Sequence, residues 1–158
     1  LRSINKERTR NEEMMEKQNQ NFLVAMQNNS PMVLIDSMNG RIELVGRWIS
    51  NNPEELYNQM IAKLESMDWT TETITVTVQL EYFATKASRL LLDFLRRAAD
   101  LQLSGTRNVT IKWYYEEGDD TLFEEAQDFY ELVEVEFEII SLSTADYDNQ
   151  MGKASALN

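Results

Sequence analysis

The sequence contains no histidine and no cysteine, and only two prolines and five glycines among its 158 residues. Without cysteine there is no disulfide frame, no thiolate zinc site and no cysteine nucleophile. Without histidine the commonest general base and metal ligand are missing, so catalysis would need carboxylates, Lys, Tyr or Ser/Thr. No apolar run reaches the roughly 18 residues of a membrane span, and no signal-peptide pattern is visible. We therefore expect a cytoplasmic protein that does not insert into a membrane.

Basic residues are scarce, because 15 Lys and Arg oppose 27 Asp and Glu, which gives a formal net charge of −12. Binding of nucleic acid needs a basic surface for the phosphates, so we expect no nucleic-acid partner. The hydrophobic fraction of 42% is enough for a core, and the length fits one domain of ordinary size. We predict no metal site and no other cofactor.

The first 30 residues differ in composition from the rest of the chain. They are rich in Asn, Gln, Glu and Lys, and their net charge is +1, whereas residues 31–158 carry −13. We predict a polar N-terminal arm or linker helix over residues 1–30, an α/β domain over 31–143 and a flexible C-terminal tail over 144–158. The chain begins at Leu1 rather than at Met, and one hypothesis is that the arm continues from an upstream domain.

From residue 32 onward, short strands alternate with amphipathic helices. The predicted strands cover residues 33–35, 41–49, 73–83, 108–115 and 135–142, and the predicted helices cover about 53–67, 86–103 and 119–132. The resulting order, β-β-α-β-α-β-α-β, predicts an α/β fold with a mostly parallel sheet.

Four of the predicted strands alternate apolar and polar residues. In the strand over 73–83, one face carries Ile74, Val76, Val78, Leu80 and Tyr82. A parallel sheet that is covered on both faces would be apolar on both. We therefore predict a single two-layer sandwich with helices on one face, and an exposed sheet face that is either solvated or available to a partner.

An acidic run without any basic residue extends over residues 116–138. Its loop over 116–120 could hold a cation loosely, although it lacks the spacing of an EF-hand. The run could also be a solvated helix face, with Asp119 and Asp120 at the N-terminus of the third helix. A third interpretation is a docking surface for a basic partner. The sequence leaves these interpretations open.

The junction between the strand over 73–83 and the following helix carries the second notable feature. The helix begins at Thr85, whose hydroxyl is suited to cap its first turn. The same position would suit a phosphate, because the open amides of a helix N-terminus bind anions. Lys86 and Arg89 add positive charge beside it. Phosphorylation of Thr85 would add nearly two negative charges and could block a partner surface.

Several segments resemble the SiaC family of bacterial regulatory phosphoproteins. The resemblance rests on QLEYFAT at 79–85, VTIKWYYEEGDD at 109–120, EEAQDF at 124–129 and FEII at 137–140, and it covers roughly residues 32–142. It implies a small α/β domain similar to anti-sigma-factor antagonists. At the position of the family phosphosite the family commonly has Asn-Thr-Ser-Ser, where this chain has Ala84-Thr85-Lys86-Ala87.

The resemblance implies a non-enzymatic switch protein of the partner-switching type. A cognate Ser/Thr kinase would phosphorylate Thr85 and a PP2C-type phosphatase would remove the phosphate. The unphosphorylated form would bind and activate a diguanylate cyclase, and so control cyclic-di-GMP and biofilm formation. The residues expected to contact a partner beside the phosphosite are Tyr82, Phe83, Lys86, Ser88 and Arg89.

Three alternative functions remain open at the level of sequence. The first is an anti-sigma-factor antagonist-like protein that binds another target. The second is a small carboxylate- or metal-dependent enzyme that uses the acidic loop, which would require a pocket with a carboxylate of raised pKa. The third is a structural module tethered by the N-terminal arm.

Overall fold

The computed structural model describes residue 10, residues 21–102 and residues 107–157. Most of the predicted arm, and the predicted end of the helix at residue 103, lie outside these ranges. The described elements are β1 (Asn21–Val24), β2 (Met32–Asp36), β3 (Arg41–Trp48), α1 (Pro53–Ser66), β4 (Thr73–Phe83), α2 (Thr85–Ala99), β5 (Asn108–Glu116), α3 (Asp120–Leu132), β6 (Glu136–Leu142) and α4 (Thr144–Ser155). A short 3₁₀ turn, Asp100–Gln102, follows α2.

The strands form one sheet in the order β1-β2-β3-β4-β5-β6. The β1–β2 and β2–β3 pairs are antiparallel, and the next three pairs are parallel. Helices α1, α2 and α3 provide the crossover connections that parallel neighbours require. The predicted α/β fold with a mostly parallel sheet is confirmed.

The main core lies between the sheet and helices α1, α2 and α3. On β4, the side chains of Ile74, Val76, Val78 and Leu80 are fully buried on that face, as their alternation predicts. The helices contribute apolar stripes of 3.6-residue period, which is the pattern by which they were predicted. The buried helix residues of this core are Met60, Leu64, Ala87, Leu91, Phe94, Leu95, Ala98, Ala99, Leu122, Ala126 and Phe129.

A register shift changes the direction of the last side chains of β4. On β3, Gly46 pairs with Leu80 of β4, and the next residue, Arg47, pairs with Tyr82. Glu81 therefore has no partner on β3 and is an extra residue in the ladder. An extra residue reverses the alternation of faces beyond it. Tyr82, which the alternation predicts on the apolar face, is therefore 60% exposed, and Phe83 joins the core instead.

The structure differs from the predicted flexible tail, because Thr144–Ser155 form helix α4. The Ser143 hydroxyl caps this helix by accepting a hydrogen bond from the Asp146 N–H at 3.2 Å. Only two of its side chains, Tyr147 and Ala154, are buried. So weak an apolar pattern is typical of a polar tail, which is why the helix was not predicted.

Helix α4 packs on the sheet face opposite the other three helices. Ala154 forms a small apolar cluster with Met32, Leu34 and Val45. The buried Gln79 side chain donates from Nε2 to a backbone carbonyl of α4, that of Tyr147, at 3.1 Å. The sheet face that the sequence predicts to be exposed is therefore partly covered.

The structure also differs at the end of the predicted N-terminal arm. Asn21–Val24 form β1, which pairs antiparallel with β2. Phe22 and Val24 pack against the main core, whereas Leu23 between them is 45% exposed. The sheet thus begins before the predicted domain boundary at residue 31, because a strand of four residues offers only two inward side chains as a signal.

Candidate functional site

Thr85 is the first residue of α2, where the central strand β4 ends. The N-cap position belongs to Ala84, whose methyl group cannot accept a hydrogen bond, so the capping role predicted for Thr85 is not observed. The first hydrogen bond of the helix runs from the Ser88 N–H to the Ala84 carbonyl, at 2.9 Å. The amides before Ser88 have no acceptor within the helix. Thr85 is exposed, and its hydroxyl is free of the capping role.

The start of α2 around Thr85 carries positive charge, although the whole chain is acidic. The first turn of α2, all of which the structure describes, carries no acidic side chain. Lys86 lies in this turn and Arg89 lies one turn after Thr85, and both are exposed. The helix macrodipole adds a partial positive charge at the same end. An anionic group attached to Thr85 would therefore lie beside the positive groups at the start of α2.

Thr85 lies at the edge of a groove of about 400 Å³ between α2 and α3. Each helix contributes four residues at the spacing i, i+3, i+4 and i+7, which places them on one helix face. Each wall therefore extends over two turns, or about 10 Å. We call the two sides the α2 wall (Thr85, Ser88, Arg89 and Leu92) and the α3 wall (Glu125, Asp128, Phe129 and Leu132), and Phe83 completes the lining.

The groove brings together only some of the residues that the sequence predicts around the phosphosite. Phe83, Ser88 and Arg89 line it together with the candidate phosphoacceptor. Tyr82 and Lys86 do not line it, although both are exposed. The extra residue in β4 explains the position of Tyr82, which faces away from the core that its neighbour enters.

Phe83 connects the start of α2 to the α3 wall. Its ring packs edge-on against Trp113 and Phe129, with ring centroids 6.0 Å apart in both pairs. The ring centroids of Trp113 and Phe129 lie 4.9 Å apart. The residue after Phe83 is also fixed, because the Ala84 N–H donates to the Trp48 carbonyl at 3.0 Å. The position of Thr85 is therefore set by β3, β4, β5 and α3 together.

The residues of the α3 wall are missing from the contact residues predicted around Thr85. Glu125 is half-buried there. Burial, followed by the negative charges of Asp119 and Asp128, raises the pKa of Glu125. The signal that could have identified this wall is the spacing 125, 128, 129 and 132, which repeats the spacing 85, 88, 89 and 92 of the α2 wall.

The acidic loop over 116–120 leads from the last residue of β5 to the first residue of α3. The Asp119 side chain accepts a hydrogen bond from the Leu122 N–H at 3.1 Å and so caps the helix. In the described ranges, 21–102 and 107–157 together with residue 10, no group of three or more Asp and Glu could hold a metal ion. The same ranges contain no helix that is long and apolar enough to cross a bilayer.

Comparison with solved structures gives three similar chains. SiaC of Pseudomonas aeruginosa matches with a TM-score of 0.65 and 20% identity, over 77% of this chain and 98% of that chain. The crystal structure of diguanylate cyclase SiaD in complex with its activator SiaC, from the same organism, matches with a TM-score of 0.69 and 21% identity, over 77% and 99%. The crystal structure of apo-SiaC from that organism matches with a TM-score of 0.63 and 20% identity, over 75% of this chain and 97% of that chain. At these identities the likeness establishes the fold.

Comparison with curated proteins finds no match. A family model described as the SiaC family regulatory phosphoprotein matches residues 24–142. The matched segment extends from the last residue of β1 to the last residue of β6, and so contains Thr85 and both walls of the groove but not α4. The resemblance found in the sequence is thereby confirmed, and the chain belongs to the SiaC family of regulatory phosphoproteins.

Proposed function

We propose that this chain is a non-enzymatic switch protein whose binding to a diguanylate cyclase is controlled by phosphorylation of Thr85. A cognate Ser/Thr kinase adds the phosphate and a PP2C-type phosphatase removes it. The unphosphorylated form binds and activates the cyclase, which changes cyclic-di-GMP and hence biofilm formation. The proposal assigns the switch to the cytoplasm, where the nucleoside triphosphates used by the kinase and the cyclase are found.

The position of Thr85 is the observation that carries this proposal. Thr85 is exposed, its hydroxyl is not needed as a cap, and it lies beside open helix amides and basic side chains. Membership of a family of regulatory phosphoproteins supports a role in regulation. The solved complex of a SiaC protein with a diguanylate cyclase supports the choice of partner. The absence of His and Cys supports a role without catalysis.

Phosphorylation of Thr85 would change the groove in two ways. The open amides at the start of α2 can donate hydrogen bonds to the phosphate, and so can the Arg89 guanidinium one turn further along the helix. The phosphate also brings nearly two negative charges to the edge of a groove whose other wall is acidic. Burial of such a dianion beneath an apolar partner surface is strongly unfavourable. The phosphorylated form is therefore expected to release the partner.

Two substitutions at Thr85 test the proposal against the SiaD-like diguanylate cyclase of the same organism. Thr85→Val keeps the shape of the side chain, and we expect it to bind and activate the cyclase as the wild type does. Thr85→Glu places a carboxylate at the groove, and we expect it to weaken binding by about tenfold or more. Calorimetry and cyclase turnover measure the two effects.

Thr144→Glu is the matched control for this experiment. Thr144 is also an exposed first residue of a helix, but it lies in α4. Thr144→Glu is expected to leave cyclase binding unchanged. Full activation by Thr85→Glu, or an equal loss of binding in the control, would contradict the proposal.

A further inference from the structure

We infer that a cavity at the start of α1 binds a small uncharged molecule with several hydroxyl groups, of the class of the monosaccharides. The cavity has a volume of about 260 Å³. We call it the α1 cavity, and it is lined by the loop between β1 and β2, the end of β3 with the loop that follows, and the first two turns of α1. The lining residues are Gln27, Asn29, Ser30, Trp48, Ser50, Asn52, Glu55, Leu56 and Gln59. The inference goes beyond the proposed function and does not depend on it.

A buried indole N–H without an acceptor is the observation that carries this inference. Trp48 lines the α1 cavity and is fully buried. Within the part of the chain that the structure describes, no group accepts a hydrogen bond from its Nε1–H. A buried donor that stays unpaired is costly, and native proteins satisfy nearly all such groups with protein, ordered water or a ligand. An oxygen atom of a molecule in the α1 cavity would supply the missing acceptor.

The polar side chains of the α1 cavity favour an uncharged ligand. Glu55 is negative, and no Lys or Arg is among the described residues that line the cavity, so a phosphate or carboxylate would meet repulsion without a counter-charge. Glu55 is exposed, so a cation would gain little from it. The other polar side chains are amides and hydroxyls, which both donate and accept hydrogen bonds, as the hydroxyl groups of a sugar do. They are Gln27, Asn29, Ser30, Ser50, Asn52 and Gln59.

Backbone hydrogen bonds hold the α1 cavity in shape. The Gln27 N–H donates to the Ser30 carbonyl at 3.0 Å, and the Ile49 N–H donates to the Asn29 carbonyl at 2.9 Å. These two bonds close the loop between β1 and β2 and join it to the end of β3. Asn52 occupies the N-cap position of α1, but its side chain makes no capping hydrogen bond. Its amide group is therefore available to a ligand in a site that is already formed.

The size of the α1 cavity limits the ligand. Pockets for drug-sized molecules have volumes of roughly 300–1,000 Å³, and the α1 cavity is slightly smaller than this range. It therefore suits a molecule of the size of a monosaccharide better than a nucleotide. The half-buried side chain of Leu56 offers an apolar surface to the carbon skeleton of such a molecule.

The other two tryptophans provide reference signals for an experiment on Trp48. The Trp69 Nε1–H donates to the Leu64 carbonyl at 3.3 Å. The Trp113 Nε1 is buried without a partner in the described part of the chain, as that of Trp48 is. Trp113 does not line the α1 cavity, and its ring packs against Phe129 instead. A ligand in the α1 cavity is therefore expected to change the indole signal of Trp48 alone.

Titration of the isotope-labelled chain with uncharged monosaccharides tests the inference by NMR of the indole N–H groups. The probes are glucose, galactose, mannose and N-acetylglucosamine. For at least one of them we expect the Trp48 signal to shift and to saturate with a dissociation constant of about 1 mM or tighter. The signals of Trp69 and Trp113 are expected to stay unchanged. A phosphorylated form of the sugar that binds is expected to bind about tenfold more weakly.

Removal of two lining amides provides a second test. The double variant Asn52→Ala/Gln59→Ala is expected to weaken binding of that sugar by about tenfold or more, because two hydrogen-bonding groups are lost. The matched control, Asn51→Ala/Asn58→Ala, removes the adjacent amides, which are exposed but do not line the α1 cavity. This control is expected to bind within about twofold of the wild type. Thermal unfolding verifies the fold of each variant, and Gln59→Ala alone replaces a double variant that unfolds.

The possible results separate the inference from the proposed function. If no probe shifts the Trp48 signal, the α1 cavity holds only water and the inference is overturned, whereas the proposed function is still decided by cyclase binding. If the three indole signals shift alike, binding is not specific to the α1 cavity and the inference is overturned as well. Tighter binding of the phosphorylated sugar would contradict the assignment of an uncharged ligand. Equal binding by the Asn52→Ala/Gln59→Ala variant would contradict the assigned site.

Discussion

Glu125 is a half-buried carboxylate on the α3 wall, and its ionised form is unfavourable in the folded protein. Burial and the neighbouring charges of Asp119 and Asp128 raise its pKa above the ordinary value of 4.5. The folded state therefore holds the proton of Glu125 more tightly than the unfolded state does. Above both pKa values the ionised carboxylate opposes folding, and this penalty disappears as the pH falls below 4.5.

Glu125→Gln is therefore expected to raise the free energy of unfolding at pH 7. The gain is expected to shrink as the pH falls through the folded-state pKa, and to vanish below the ordinary value. Urea denaturation of the variant and the wild type, at pH 7 and at a pH below 4.5, measures this difference in the free energy of unfolding. Glu131→Gln, at an exposed position of the same helix, controls for the general effect of a lower negative charge. A variant less stable than the wild type at pH 7 would show that Glu125 makes a favourable contact instead.

A single extra residue decides which aromatic side chain of β4 enters the core. Simple alternation predicts Tyr82 there, whereas Phe83 occupies the core because Glu81 is an extra residue in the ladder. Glu81 forms an exposed ion pair with Arg47 at 3.1 Å. The sequence does not reveal this shift, since Glu81 also fits the polar face of an unbroken strand. Phe83 enters the core because it packs against Trp113, and this contact joins residues that are far apart in the sequence.

At the scale of elements, α4 has the weakest sequence signal of the described helices. Gly152 lies in its interior, where glycine is less favourable than alanine by roughly 0.5–1 kcal/mol. A Cβ atom added at Gly152 would meet no atom within 4 Å. Gly152→Ala is therefore expected to raise the free energy of unfolding by about 0.5–1 kcal/mol in urea denaturation.

Gly118→Ala is the matched comparison for this prediction. A Cβ atom at Gly118 would also meet no atom within 4 Å, but its φ of +87° strains any residue with a side chain. Gly118→Ala is therefore expected to lower the free energy of unfolding by roughly 1–2 kcal/mol. If Gly152→Ala has no effect or destabilises the protein, residues 144–155 do not form a stable helix in solution.

The three crossover helices and strands β2 to β6 were predictable because each buries a regular apolar pattern. In α2, for example, Leu91, Leu95 and Ala98 repeat at helical spacing and are all fully buried. By contrast, α4 buries only Tyr147 and Ala154. The Tyr147 hydroxyl is buried without a hydrogen-bond partner in the described part of the chain, and burial also raises its pKa. Such an element is fixed by its docking on the sheet rather than by its own sequence.

The groove could be predicted only in part. Both of its stripes are present in the sequence, and the segment around Thr85 was identified from its position after β4 and from the family resemblance. What the sequence does not contain is the apposition of residues 85–92 with residues 125–132. That apposition follows from the adjacency of β4 and β5, and from the placement of α2 and α3 on the same face of the sheet.

At the scale of the whole molecule, the net charge of −12 is unevenly distributed. Helix α3 is acidic and contains no basic residue, whereas α2 carries Lys86, Arg89, Arg96 and Arg97. The two helices form the walls of one groove, so the boundary between the charges coincides with the candidate binding surface. Thr85 lies at the basic side of this boundary. A phosphate there reduces the positive potential of the only basic wall of the groove.

The family match also divides the molecule into two parts. The segment that matches, residues 24–142, contains strands β2 to β6, the three crossover helices and the groove. Helix α4 lies beyond it and covers part of the opposite face of the sheet. We therefore expect the phosphorylation switch to depend on the α2–α3 side of the molecule, and α4 to act on stability.

Intact-mass analysis after incubation with the cognate kinase and ATP tests the central claim most directly. We expect the wild type to gain the mass of one phosphate, and Thr85→Val to gain none. Ser88→Ala is the matched control, since Ser88 is half-buried three residues further along the same helix, and we expect this variant to gain one phosphate like the wild type. A wild type whose mass does not change, or a Thr85→Val variant that still gains a phosphate, would contradict the assignment of Thr85 as the switch.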